Sequence, residues 1–428
     1  MKKHVVIALV LCFYHFLCAQ EKTDAFMLKL LQENTGRFSD IITNPAKYHL
    51  QILYTQIDRD RMNKPRFKSY AYRLNPQAYF YPASTVKFPA CLLALEKINQ
   101  LKIRGLDKKT PMLTDSAFSA QTRQTTDESN LENGGLPTIE HYIKKILIVS
   151  DNIAYNRLYE FVGQEAFNEK LYAKGYKNLR IVHRLETAMT REQNKYTNPI
   201  TFRKMGAHTE GGGNIILEDV YRQPMQVSAK NYEPAAPITM GKGFMRGGTL
   251  VEEPFDFTHK NYFPLAEQQA ILRGVLFPES VPARQRFDLT KADYAFLWQY
   301  LSQSPMETKN PAYASDTSLY DSYCKFLMFG DDKKPMPKNI RIFNKVGDAY
   351  GFLIDNAYVV DFDKGVEFML SAVIHVNEDG IFNDDKYEYE TVGFPFLAHL
   401  GKIIYEHELK RKRIVKPDLS KFKLTYDK

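Results

Sequence analysis

Strand-like runs lie near the two ends of this chain, and helix-like runs fill the middle. Over residues 48–57 apolar and polar positions alternate: Leu50, Ile52, Leu53 and Ile57 are interrupted by His49, Gln51, Tyr54 and Gln56. Alternation of this kind predicts a strand, with a turn over 59–65 and a second strand over 70–74. Residues 340–343, 357–362 and 366–376 read as strands again, and Asp379-Gly380 as a turn. Between them, helical periodicity runs through 88–101, 138–148, 154–162 and 165–173, with Gly175 just past the last as its cap. Residues 266–276 form one further helix, and Thr290 with Asp293 reads as a capping box opening a helix through Leu301. Amphipathic helices are expected at 24–35 and 394–405. One sheet assembled from both ends, with a helical insert, satisfies this order; separate domains do not. The expected class is α+β: an antiparallel sheet built from both chain ends with flanking helices, plus an all-helical subdomain.

The first twenty residues stand apart. Lys2 and Lys3 precede an apolar run over 5–14 that continues past His15 to Ala19, and polar sequence starts at Gln20 and Glu21. The pattern is that of a secretory leader, too short to span a bilayer, with cleavage near Ala19 or Gln20. The residues before Cys18 lack the small side chains of a lipoprotein site. An exported protein, periplasmic or extracellular, is therefore expected. The whole chain has 428 residues and a formal charge of +8. Loss of the leader lowers that charge by two. It is too small and too dispersed to point to nucleic acid. Cys12 and Cys18 leave with the leader, so Cys91 and Cys324 allow one disulfide at most. Cys91, on the apolar helix, is expected to be a buried thiol.

The remainder, 21–428, reads as a single domain. Its parts are a helical subdomain over about 80–203, a Gly- and Pro-rich insertion over about 204–287, an α/β subdomain of 21–79 with 288–406, and a basic tail over 407–428. The insertion is long enough either to cover a site or to decorate a surface. The tail reads as a solvated helix end, and residues 377–388 as a solvated acidic hairpin. No stretch after the leader is a membrane span. The ten His show no metal-ligand spacing, so neither metal nor cofactor is expected. A monomer acting on a small molecule is expected.

Three short strings carry chemistry. Ser84-Thr85-Val86-Lys87 opens an apolar helix and places Ser84 and Lys87 on one face. A serine hydroxyl becomes a nucleophile when a base takes its proton, and a lysine serves once burial and neighbouring charge lower its pKa. Ser150-Asp151-Asn152 follows an apolar run and precedes a helix. Lys345-Val346-Gly347 stands at the mouth of a strand, where Gly347 lets a ligand approach the backbone. Each string alone is an ordinary cap or turn.

In that order, however, Ser-x-x-Lys, Ser-Asp-Asn and Lys-x-Gly resemble the penicillin-recognising serine enzymes, especially class A β-lactamases. Residues 141–186 resemble the helical subdomain of that family, and the likeness extends over most of 24–205 and 288–406. The resemblance implies a catalytic Glu on a loop about three dozen residues after Ser150. Arg184-Leu185-Glu186 stands there, and Thr197-Asn198-Pro199 resembles the end of the same loop. It implies catalytic roles for Ser84, Lys87, Ser150 and Glu186, and substrate contacts from Asn152, Lys345, Gly347 and Asp348, the last through its backbone N–H.

Two departures bear on the substrate. Thr190 replaces an Asn that helps hold water in the family. Val346 replaces a hydroxyl residue that bonds the β-lactam carboxylate, and the acidic Asp348 follows Gly347. Arg341 or Arg246 is a candidate for the missing carboxylate contact. The resemblance implies hydrolysis of a β-lactam amide through an acyl-enzyme on Ser84. The alternatives are a D-Ala-D-Ala carboxypeptidase or other ester or amide hydrolase acting on a peptidoglycan-like peptide, and a non-catalytic envelope binding protein.

Overall fold

In the computed structural model, which describes residues 21–427 apart from 35, 37–38, 206–216 and 314, strands from both ends of the chain join in one five-stranded antiparallel sheet. The leader lies outside the described residues. Helix α1 (Ala25–Gln32) precedes β1 (Gln51–Arg59) and β2 (Pro65–Tyr72). Strands β3 (Ile340–Ala349), β4 (Phe352–Asp361) and β5 (Val366–His375) come from the far end, and the spatial order is β3-β4-β5-β1-β2. The two ends meet where β1 pairs β5, with Ile52 opposite Ala372 and Tyr54 opposite Leu370.

The period of two sorts the core. Ile52, Tyr54 and Leu370 face α1 and the last helix, α8 (Phe394–Lys410), packing with Met27, Phe396 and Leu400. Leu53, Phe343 and Met369 face the opposite side, toward Ile271 and Val275. Covered on both faces, all ten residues of β4 and all ten of β5 are buried.

The C-terminal strands run further than apolar periodicity marks. Asn344, Lys345, Asp355 and Asn356 are buried within them because each has partners. Lys325 Nζ donates to Asn344 Oδ1 (2.7 Å), and Asn344 Nδ2 donates to Asp355 Oδ1 (2.8 Å). Asn356 Nδ2 donates to the Gln268 carbonyl (2.9 Å). Satisfied polar groups tolerate burial, and hydropathy alone does not reveal them.

The helical part is built on α2 (Lys87–Leu101), whose residues Lys87–Glu96 are all buried. Around it lie α3 (Ile139–Val149), α4 (Asn152–Val162) and α5 (Gln164–Ala173). Thr138 caps α3 by accepting from His141 N (3.1 Å). Cys91 and Cys324 are both buried free thiols.

The helix expected over 266–276 is present as α6 (Leu265–Leu276), which lies on the sheet. Gln269 Nε2 donates to the Leu53 carbonyl and to Ser371 Oγ (2.9 Å each), bolting α6 across β1 and β5. One expectation is corrected: the basic end is not a solvated tail. Buried Glu408 accepts from Tyr54, Arg411 and Arg413, which turns two of the arginines back onto the protein. Phe422 is fully buried against Phe277, Tyr358 and Phe343. Helix α7 (Lys291–Ser302) begins at the expected Thr290/Asp293 capping box. No described helix is long and apolar enough to cross a membrane.

Candidate active site

Ser84 sits on one 3-10 turn, Ala83–Val86, that feeds directly into α2. Ala83 enters it with φ +46°, a left-handed conformation that costs a non-glycine residue energy and concentrates at functional sites. Thr85 Oγ1 and N both bond the Pro82 carbonyl (2.7 and 3.1 Å), which fixes the turn. On a 3-10 turn, residues three apart eclipse. Ser84 and Lys87 are therefore presented on one face, with Ser84 half-buried and Lys87 fully buried.

The Lys87 ammonium donates to the Ser150 carbonyl and to Ser150 Oγ (3.2 Å). Lys345 Nζ reaches the same Oγ from the sheet (2.8 Å) and also bonds the Val346 carbonyl (2.9 Å). Ser150 thus bridges lysines from α2 and β3. It does so because it ends α3 in the left-handed region, φ +62°, which turns its side chain across the gap. Asp151 then starts α4 by accepting from Ala154 N (2.7 Å), and this cap sets Asn152 on the cavity wall. Burial first, and the neighbouring Lys345 second, bring the pKa of Lys87 from 10.5 down to about 7. Burial also lowers that of Lys345.

β3 is the free edge of the sheet, and Gly347 is where it passes the Ser84 turn. A Cβ there would stand 2.8 Å from the Pro82 carbonyl oxygen and 2.9 Å from Ser84 N, so only glycine permits the approach. The β3–β4 hairpin closes through Tyr350 (φ +53°) and Gly351 (φ +77°), a two-residue turn of the I′ kind. Ala349 and Phe352 are its closing register pair, and in a two-residue hairpin that pair is the hydrogen-bonded one. One residue back, the Asp348 N–H consequently points off the free edge, toward the Ser84 turn. The crowded site raises the pKa of the Asp348 carboxyl against the pull of Lys345 and Lys87, and Glu186 adds to the rise.

Glu186 arrives on a loop with φ +50°. The loop is held from below. Asn156 bonds both the N–H and the carbonyl of Leu185 (2.9 Å each). Buried Arg184 Nε donates to buried Glu160 (2.7 Å), and its Nη2 donates to the Tyr196 carbonyl (2.8 Å). Glu186 itself is exposed and shares a cavity of about 380 Å³ with Ser84, Asn152 and Asp348. Of the predicted residues, these four line the cavity, Lys87, Ser150 and Lys345 form the polar cluster behind Ser84, and Gly347 sets the spacing.

Other expectations fail here. Val346 is buried in the core on the α1/α8 face of the sheet and lies outside the cavity lining. Thr190 is exposed, accepts from Gln193 N through Oγ1 and is not in the lining. Arg341 is committed to Glu307 through two bonds (2.8 and 2.7 Å) and lies 4.1 Å from the Tyr426 ring centre. Arg246 lies over Phe244 (4.9 Å) and is exposed. Neither lines the cavity. The acidic stretch 377–388 is not merely a solvated hairpin, because Asn383, Asp385 and Tyr387 form part of the cavity wall. With Tyr81, Tyr350 and Tyr389 they make that wall aromatic and acidic. Sequence reasoning missed these residues. The abundance of Tyr was the available signal, but nothing in it says which tyrosines converge. The insertion also reaches this region: Phe255 and Phe257 each pack on Tyr350 (5.5 Å). Among the described residues, no group of three or more His, Cys, Asp or Glu is placed to hold a metal ion.

Comparison with known proteins gives one family match: residues 38–210 fit the model described as the β-lactamase enzyme family. No curated protein sequence matches the chain. Among solved structures, a β-lactamase from Xanthomonas campestris pv. campestris is 13% identical, with TM-score 0.46, covering 88% of this chain and 98% of its own. An ancestral class A β-lactamase is 14% identical, with TM-score 0.45 and coverage of 88% and 99%. A class A β-lactamase from Clostridium kluyveri is 14% identical, with TM-score 0.45 and coverage of 88% and 98%.

Proposed function

We propose that this chain, similar over residues 38–210 to the β-lactamase enzyme family, is a serine hydrolase that cleaves an amide through an acyl-enzyme on Ser84, with the β-lactam amide as its substrate. The observation that carries the reading is the convergence of Ser84, Asn152, Glu186 and Asp348 in one cavity beside buried Lys87. A lysine with a pKa of about 7 is half neutral near pH 7, so it can take the Ser84 proton as Oγ attacks the carbonyl. The N–H groups of Ser84 and Asp348 are positioned to bind the developing oxyanion. Ser150 Oγ accepts from both lysines, so its own hydrogen is free to protonate the leaving nitrogen while the proton that Lys87 took from Ser84 passes to Ser150 Oγ in its place. Lys345 holds Ser150 in that role, and Asn152 orients the substrate. Glu186 then activates the water that releases the acyl group.

The test is intact mass spectrometry after minutes with benzylpenicillin. The expected result is an adduct on Ser84 that clears in the native protein and persists in Glu186→Gln. An absent adduct with the fold intact refutes the β-lactam reading.

A second reading has its own support. Glu186, Asp348 and Asp385 line the cavity, whereas no Lys or Arg does. A substrate carboxylate meets repulsion there. This favours an ester or amide substrate without the β-lactam carboxylate, such as a peptide presenting an amine. Hydrolysis of amino-acid p-nitroanilides or p-nitrophenyl esters, faster with a free amine than with an acetylated one, distinguishes it. The leader supports export with loss of residues 1–20, and N-terminal sequencing of the mature protein checks this.

A further inference from the structure

A second cavity, of about 670 Å³, lies away from Ser84 and shares no lining residue with the Ser84 cavity. One wall is the segment before the Glu186 loop, with Lys177, Asn178 and Arg180. The other comes from residues 231–238 of the insertion. Arg180 is 7% exposed and its backbone is locked by reciprocal bonds with Tyr262 (2.9 and 2.8 Å). Its guanidinium lies 5.6 Å from the centres of the Tyr79 and Tyr262 rings, which are themselves 5.3 Å apart. Its one hydrogen bond is long, from Nη2 to the Thr258 carbonyl (3.5 Å), and its buried Nε has no partner.

Among the described residues no carboxylate forms an ion pair with Arg180. The acid in the cavity wall, Glu233, is already bonded to Arg191 and to His259 Nδ1 (3.1 Å). A buried cation is ordinarily paired with an anion. Burial accordingly depresses the Arg180 pKa, and only tyrosines counter it. Tyr172 and Tyr232 add aromatic surface to the lining.

We infer that this cavity is a second ligand site, taking a small molecule whose oxyanion, a carboxylate or a phosphate, pairs with Arg180 while an apolar or aromatic group rests among the tyrosines. The guanidinium suits either oxyanion. The inference does not depend on the chemistry assigned to Ser84.

The test is calorimetric titration of the full mature protein with benzoate in one arm and phenyl phosphate in the other, each to about 20 mM, with toluenesulfonamide as the uncharged control. The expected result is saturable one-to-one binding of at least one anion and none of the control. Affinity should fall about tenfold or more in Arg180→Gln, less in Arg180→Lys, and stay unchanged in Ser84→Ala. Should Arg180→Gln fail to fold, Tyr232→Ala on the opposite wall carries the test through weakened binding. The inference is overturned if neither anion binds, if a folded Arg180→Gln variant binds as the native protein does, or if Ser84→Ala abolishes binding.

Discussion

Replacing Lys87 by methionine is expected to abolish turnover and, at neutral pH, to stabilise the protein. Methionine has nearly the same length and no charge to desolvate. The Lys87 pKa drops from 10.5 in the unfolded chain to about 7 in the fold. Between those values the unfolded chain binds more protons than the folded one, so native stability rises with pH over this window and is lost as pH falls toward 7. At about 1.36 kcal/mol per pH unit, keeping the site at pH 7 costs roughly 4 kcal/mol. At pH 9.5 the same relation leaves only about 1–2 kcal/mol. Against this, Lys87→Met loses the bonds to the Ser150 carbonyl and Oγ, about 1–2 kcal/mol at either pH. The variant should therefore be about 2–3 kcal/mol more stable at pH 7 and nearly equal to the native protein at pH 9.5. Relief of Lys345 from a neighbouring charge acts in the same direction. Urea denaturation of both proteins at the two pH values measures the difference. A gap that does not change with pH would falsify the claim that Lys87 is held near neutrality, and with it the assignment of Lys87 as the base. In the native protein, the acylation rate should rise as pH passes upward through about 7, where the free amine forms.

Other outcomes follow from single contacts. Gly347→Ala places a methyl within 2.9 Å of Ser84 N and should lower kcat/KM about a hundredfold, with little change in the urea midpoint. Arg184→Met leaves Glu160 with Arg157 as its remaining cation and should cost about 3 kcal/mol. Because the same arginine anchors the Glu186 loop, intact mass should show acyl-enzyme accumulating, with release slowed more than acylation. Phe422→Ala should cost about 3–4 kcal/mol by calorimetry or denaturation while leaving kcat unchanged, since Phe422 packs the far end of the sheet.

Much of this site is legible before any fold is known. Ser84 and Lys87 are three residues apart, and local helix geometry alone puts them on one face. The glycine at 347 is likewise a local signal, although its reason, the Pro82 carbonyl and Ser84 N, belongs to another segment. Hydropathy marks β1 and the first four residues of β3, then loses the strands where Asn344, Asp355 and Asn356 are buried with polar partners. The basic end is misread for the same reason. Glu408 on α8 looks solvated until the Tyr54 hydroxyl and the Arg411 and Arg413 guanidinium groups that satisfy it are in place.

Sequence by itself determined the order of elements and the chemistry of each string. Periodicity and capping are written in neighbours a few residues apart. Tertiary structure alone decided how those strings meet. It set Ser150 between a helix lysine 63 residues before it and a strand lysine 195 residues after it, and it drew the acidic tyrosine-rich wall around Ser84. It also brought Arg180 into a cavity wall where, among the described residues, no carboxylate is paired with it. Burial and pairing are properties of residues distant in the chain, and they fix both the pKa of Lys87 and the charge of the cavity that a substrate enters.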